Sequence, residues 1–253
     1  MTAQSQILSA PEPQRLRVPR KEWGAALRAL RKLLRDKDDT GQVFEIMRAL
    51  NGDSTRKGYS RLLATAEGGR IAARQIDLAE RLSDREWLAG MPAGSLGAVY
   101  RDFTDTGGVT PGGLVEVSNQ VMMEIEHPVA WFGRRTRDSH DLWHVLTGYG
   151  LDSLGEACLV AFSYAQTKSL GWAVIAIGAA LKSRKAPTRQ PYVRAIWEGY
   201  RRGREARWLA GHDYLALLPL PLEDVRARLG LTPPPVYLSI PVEARGQAVP
   251  KGD

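Results

Sequence analysis

Two imidazoles stand four residues apart in His140-Asp141-Leu142-Trp143-His144, and a carboxylate, Glu156, follows twelve residues after the second. On a helix, positions i and i+4 share a face, so both rings can reach one ion. Asp141 is rotated by about 100° from His140 and ligates only by swinging round that ion. The turn TGYGLDS separates the pair from Glu156, and two antiparallel helices joined by such a turn bring Glu156 opposite the imidazoles. Two His with one or two carboxylates suit Zn²⁺, Fe²⁺ or Mn²⁺. The alternative is a helical His pair without metal. However, Leu142, Trp143, Val145 and Leu146 bury part of this helix, and buried imidazoles beside carboxylates would then need full hydrogen bonding.

Other motifs share the spacing. Zincin peptidases use H-E-x-x-H with Glu as general base. Asp141 is one methylene shorter and would hold a base out of reach of a metal-bound water. Phosphohydrolases with an adjacent His-Asp pair need an upstream helical His, whereas His127 stands before Pro128 at a helix boundary.

The elements that must position these residues read as helices. Leu27, Leu30 and Leu34 follow Trp23 at helical spacing, and Val43, Phe44, Met47 and Leu50 form a second stripe closed by Gly52. A third helix starts at Ser54 and ends at Gly68–Gly69; a fourth runs through Ile71, Ile76, Leu78 and Leu82. Residues 83–103 read as two short helices broken at Pro92. Residues 107–114 read as a loop, with Pro111 opening a helix toward Met122 and Ile125. Pro128 begins a long helix through the His pair, closed by Gly148 or Gly150, and Asp152 or Ser153 caps the next. An apolar helix from Ser169 and a long helix from Pro191 to Leu209 complete the reading. No stretch alternates, so the expected fold is all-α, a single multi-helix domain over residues 21–238 with the metal site between two neighbouring helices. Residues 1–20 read as a disordered arm and 239–253 as a disordered tail.

Composition narrows the classes. In 253 residues, 43% are hydrophobic and 25% charged, ordinary for a globular chain. The lone Cys158 excludes an internal disulfide and a Cys-rich zinc site, and only four His are present. The net charge of +7 favours an anionic neighbour. The N-terminus lacks a secretory pattern, and the most apolar run, residues 169–181, is shorter than the ~20 residues that cross a bilayer.

The string HDLWHVLTGYGLDSLGE fits H-D-x-x-H-x(11)-E and resembles the coenzyme Q biosynthesis protein 4 family. MPAGSLGAVYRDFTDTGGVTP and RRTRDSHD upstream, and VRAIWEGYRRGREARWLAG and LPLPLEDVRARLGL downstream, are similar to the same family in the same order. The resemblance runs from about Trp23 to Leu231. It implies a role in ubiquinone biosynthesis: oxidative decarboxylation of a polyprenylated hydroxybenzoate, its C1 carboxyl replaced by hydroxyl. The lyase-like chemistry would be metal-dependent, with zinc, or else iron or manganese, on His140, Asp141, His144 and Glu156. The resemblance also implies a different role, a non-catalytic lipid-binding scaffold that organises the biosynthetic complex. Expected partners are the polyprenylated aromatic substrate, other ubiquinone biosynthesis proteins, an anionic membrane surface and a second copy of the chain. The expected location is cytoplasmic, peripheral to the inner membrane.

Other residues fit such a substrate. Arg137 lies about one turn before His140 and Arg134 one turn earlier, placed to pair with a carboxylate or to form a solvated face. Residues 169–181 could line a tunnel for a prenyl tail or form a buried core helix. Between Lys182 and Arg207 nine basic residues meet only Glu198 and Glu205, with Trp197, Tyr200 and Trp208 interleaved. This segment could dock on an anionic membrane, each nearby cation contributing ~1 kcal/mol, or form a plainly solvated face. It accompanies no nucleic-acid motif, so nucleic acid is not expected as a partner.

Overall fold

A computed structural model describes residues 20–36, 39–50, 52–107, 128–186 and 188–246. Fifteen α-helices occur among them: α1 (Trp23–Arg35), α2 (Thr40–Leu50), α3 (Ser54–Leu63), α4 (Ala66–Arg74), α5 (Leu78–Ser83), α6 (Arg85–Ala89), α7 (Leu96–Gly107), α8 (Pro128–Asp138), α9 (His140–Thr147), α10 (Ser153–Thr167), α11 (Leu170–Ser183), α12 (Tyr192–Glu205), α13 (Tyr214–Leu217), α14 (Leu222–Leu229) and α15 (Pro235–Leu238). No strand forms among the described residues; Ser95 and Pro221 make an isolated bridge. The all-α expectation holds.

The centre is α10. It is apolar on most of its circumference, with Leu154, Cys158, Leu159, Val160 and Phe162 all buried. Its closest neighbour is α12, because Gly199 and Gly203 let the backbones meet: a Cβ on Gly199 would lie 2.3 Å from the Cys158 carbonyl oxygen. α11 packs on another side of α10, and α1 and α2 pack on α11. α7 and α14 flank α9, and α8 lies against α3 and α5.

Several helices end elsewhere than the sequence suggests, each for a local reason. α3 stops at Leu63, because the Thr65 hydroxyl accepts from the Gly68 amide (3.0 Å) and starts α4 across the glycine pair. The expected fourth helix breaks where Gln75 takes a left-handed conformation (φ 45°) and Asp77 caps α5. The long helix from Pro128 divides at Ser139, whose ψ of −4° ends α8 and lets His140 open α9. α12 ends at Glu205 rather than Leu209, and a short 3-10 turn follows at Leu209–Gly211. The expected loop at 107–114, the helix after it and His127 fall, apart from Gly107 at the end of α7, outside the described residues, as do residues 1–19 and 247–253.

The expected tail is corrected over residues 239–246, which pack onto the domain. Ile240 is fully buried, and Val242–Ala244 form a 3-10 turn. The Arg245 guanidinium lies 4.4 Å over the Tyr237 ring and donates to the Ile240 carbonyl (2.9 Å). Its own carbonyl accepts from the Leu154 amide (3.0 Å), an N–H of the first turn of α10 that would otherwise lack an intrahelical partner. One buried isoleucine and these polar links give eight residues a fixed course that their composition does not advertise.

Candidate metal centre and lipid cavity

α9 carries the His pair and is held at both ends. At its start Trp143 donates to the Tyr214 hydroxyl (2.7 Å), which itself donates to the Leu209 carbonyl (2.9 Å). At its end Gly148 adopts φ 77°, a conformation that suits glycine, and its amide donates to the His144 carbonyl (2.9 Å). The last-turn carbonyls are taken by two guanidiniums. Arg226 donates to Val145 (2.7 Å) and Leu146 (3.1 Å), while Arg202 donates to Thr147 (2.9 Å) and to Thr232. Cations at a helix C-terminus also answer its partial negative charge. Asp152 accepts from the Gly155 amide (2.8 Å) and starts α10, which brings Glu156 back toward the imidazoles.

The sequence-predicted cluster is therefore assembled. Ligand atoms of His140, Asp141 and His144 lie within 4.8 Å of one another. Glu156 joins them, its Oε1 3.3 Å from His144 Nε2 and its Oε2 3.9 Å from His140 Nε2. His144 Nδ1 lies 3.0 Å from the Tyr149 carbonyl, which can only accept, so Nδ1 donates there and Nε2 is the nitrogen turned toward Glu156. That Nε2 is buried and makes no hydrogen bond among the described residues. An orphaned imidazole nitrogen aimed at carboxylate oxygens is what a cation would satisfy, so the donor set fits a divalent metal.

Asp141 has a different relation to the site from Glu156. It lies 3.4 Å from His140 Nδ1, whereas Glu156 faces Nε2 of the same ring. If Nε2 is the ligating atom, Asp141 stands behind His140 and orients it, as carboxylates do behind metal-bound imidazoles.

Phe103 of α7 stacks on His144 (5.7 Å between centroids), and Trp172 of α11 lies 6.1 Å from His140. These rings fix the imidazole planes. Sequence reasoning gave Phe103 no role, although it lies in the family-like segment MPAGSLGAVYRDFTDTGGVTP; Trp172 falls in the apolar run expected to line a tunnel. Of the two candidate substrate arginines, Arg137 lines the adjoining cavity and pairs with Asp138 (2.7 Å), while Arg134 does not reach it. Burial pushes the Asp138 carboxyl up to about 6 against the pull of Arg137. Burial also pushes the Cys158 thiol well up, which leaves it inert. His212 is placed elsewhere, 3.8 Å from Glu67.

A cavity of about 1080 Å³ opens beside His140 and Glu156. Leu30, Val43, Phe44, Trp172, Ile175 and Ala179 form its apolar part, and residues 243–246 form one wall. α11 is thus a cavity wall and not a helix buried all round: Ile177 is 60% exposed and Leu181 is exposed too. The basic segment divides as well. Arg202, 7% exposed, caps α9 and lies 5.0 Å over the Tyr149 ring, so it is removed from any docking surface. Arg194, Arg201 and Arg204 remain exposed, next to Val193 and Trp197, which is 59% exposed. No helix of the described residues is long and apolar enough to cross a membrane.

A family model described as coenzyme Q (ubiquinone) biosynthesis protein Coq4 matches residues 26–235. A mitochondrial ubiquinone biosynthesis protein COQ4 from Yarrowia lipolytica is 27% identical over 194 residues, covering 73% of this chain and 71% of the relative. A COQ4 homolog from Xenopus tropicalis, also named mitochondrial, is 27% identical over 197 residues, covering 75% and 68%. The match covers less of other relatives, such as 49% of the Neurospora crassa protein. A crystal structure from Nostoc punctiforme PCC 73102, named for ubiquinone biosynthesis, shares the fold. Its TM-score is 0.60 at 21% identity, covering 83% of this chain and 99% of that one. The match spans nearly all of the described helices, including the turn that joins the His pair to Glu156, and the chain belongs to the Coq4 family of ubiquinone biosynthesis proteins.

Proposed function

We propose that the chain is a metal-dependent enzyme that replaces the C1 carboxyl of a polyprenylated hydroxybenzoate by hydroxyl. One observation carries the reading: the large apolar cavity is lined at one place by His140 and Glu156. A ligand with an anionic ring head and an apolar tail matches that combination, and the volume is at the upper end of the ~300–1,000 Å³ of ligand clefts. His140, His144 and Glu156 would hold the metal, zinc by family resemblance or else iron or manganese, with Asp141 as ligand or as the group orienting His140. A bound divalent ion supplies Lewis-acid stabilisation of charge developing on the ring oxygens. The apolar walls exclude water from the ring, and Arg137 offers a cation to the carboxylate that leaves as carbon dioxide. The replacement takes one oxygen atom from dioxygen, and the other leaves as water with two protons and two electrons from a reductant in solution.

The test is to load the protein separately with zinc, iron(II) and manganese and supply a prenylated hydroxybenzoate in air with a two-electron reductant such as ascorbate. Mass spectrometry should show loss of the carboxyl and gain of a hydroxyl with at least one metal. Ligand binding without product for every metal would refute catalysis. It would leave the non-catalytic lipid scaffold, which the near-complete burial of Asp141 and His144 favours as a closed structural site.

A tail that partitions into lipid has to be collected at a bilayer, and we assign docking to the exposed face of α12. Protein should bind anionic vesicles, less so as salt rises, and bind neutral ones weakly. Replacing Arg194, Arg201 and Arg204 by Gln should cut vesicle binding by at least tenfold at equal metal content. Unchanged cosedimentation of that variant would move the docking surface elsewhere.

A further inference from the structure

The direction of the His144 ring is set from outside α9. Its Nδ1 donates to the Tyr149 carbonyl, five residues on, in the turn that follows the helix. Tyr149 is fully buried, and its ring is held from two sides. Tyr237 meets it edge-on at 5.2 Å between centroids, and the Arg202 guanidinium lies 5.0 Å over its ring. The same guanidinium donates through Nη2 to the carbonyls of Thr147 (2.9 Å) and Thr232. Its Nε and Nη1 are buried and make no hydrogen bond among the described residues, and it forms no ion pair there. Burying a guanidinium with so few of its donors matched is expensive, so net stability does not account for its presence. What it supplies is position, because one rigid plane touches both the last turn of α9 and the residue that holds the imidazole.

We propose that Arg202 is a positioning residue of the metal centre. Fixed on the Thr147 carbonyl and over the Tyr149 ring, it sets the turn between them so that the Tyr149 carbonyl meets Nδ1. The ring is then turned with Nε2 toward Glu156, 3.3 Å away. The inference rests on the metal reading given above and adds a group on α12 that offers the ion no ligand atom. Arg226 supplies an internal comparison. It donates to the Val145 and Leu146 carbonyls of the same helix end and pairs with Glu223 (2.6 Å). It makes no hydrogen bond or ring contact with residues 147–149 among the described residues. Both guanidiniums cap α9, and only Arg202 reaches the residue that holds His144.

The experiment uses the full chain, with zinc affinity measured by competition against a chelating dye and cobalt(II) absorption recorded at saturation. The cobalt bands report the geometry of the ligands, which a purely structural loss in a folded protein does not move. Arg202→Met should weaken zinc binding by about tenfold and alter the cobalt bands, as removal of groups behind metal ligands does. Arg202→Lys keeps the charge but not the flat fork and should fall between that variant and wild type. It also carries the test if Arg202→Met fails to fold. Tyr149→Leu removes the ring beneath the guanidinium and should weaken zinc by a similar factor. The double variant should then be no worse than either single one, because both changes break the same link. Arg226→Met should lower the melting midpoint and leave zinc affinity and the cobalt bands unchanged. Arg202 variants that melt lower yet keep wild-type zinc affinity and cobalt bands would make Arg202 a helix cap alone. An equal loss of zinc affinity in Arg226→Met would overturn the assignment as well. Wild-type protein that binds neither zinc nor cobalt refutes the metal reading instead.

Discussion

His144→Ala should lower affinity for a divalent ion by at least about 100-fold, since even groups behind metal ligands cost 10–100-fold when removed. The motive is the bare Nε2 of a buried ring whose other nitrogen is fixed on the Tyr149 carbonyl. Deleting the ring also empties space beside Phe103, so His144→Gln, closer in volume, serves as the second variant. Dialysed protein titrated with zinc and followed by elemental analysis gives the answer. A variant that keeps a full equivalent of metal would show the ligand assignment to be wrong. Asp141→Asn in the same titration separates its two roles. A loss as large as that of His144→Ala makes Asp141 a ligand, and a loss of about tenfold makes it the group that orients His140.

Gly199→Ala should lower thermal stability by about 10 °C and weaken metal binding as well. The new methyl would sit 2.3 Å from the Cys158 carbonyl oxygen and 3.1 Å from its carbonyl carbon, both main-chain atoms that no side-chain rotation can clear. α10 and α12 must separate, and overpacking of this kind costs about 3 kcal/mol. At roughly 2–4 °C per kcal/mol for a chain of this size, the midpoint drops accordingly. Because Cys158 is two residues from Glu156, the shift should displace that carboxylate and weaken the hold on an added divalent ion. Gly203→Ala strikes Phe162 at 2.6 Å, further along the helix, and should cost stability with less effect on metal affinity. Calorimetry and zinc titration of the two variants decide it. A Gly199→Ala protein melting within 2 °C of wild type would contradict the packing argument.

The site was readable because its determinants are local. The i, i+4 His pair, the glycine that ends α9 and the Asp152 that caps α10 all lie within seventeen consecutive residues. The helical class was readable from apolar spacing. The divisions at Thr65, Gln75 and Ser139 were not, because the apolar stripes continue across them while single side chains or dihedral angles end the helices. Arg202 was read only as part of a basic segment, and Arg226 was given no role. Their role as caps on α9 depends on where α12 and α14 pack, which spacing along the chain does not encode. Phe103 was hidden for the same reason. The course of residues 239–246 rests on one buried side chain and a few carbonyls, too little for a composition-based reading to register.

The shortness of the loop between α9 and α10 separates two events in time. Closing a contact across so few residues costs little chain entropy, whereas the cavity gathers walls from Leu30 to Gly246 and waits on nearly the whole sequence. An ion held by the nascent α9–α10 hairpin would therefore be captured before the compartment forms, and would act first as a folding nucleus. Refolding in the presence of a chelator would then slow at the earliest step, before any ligand has a place to bind.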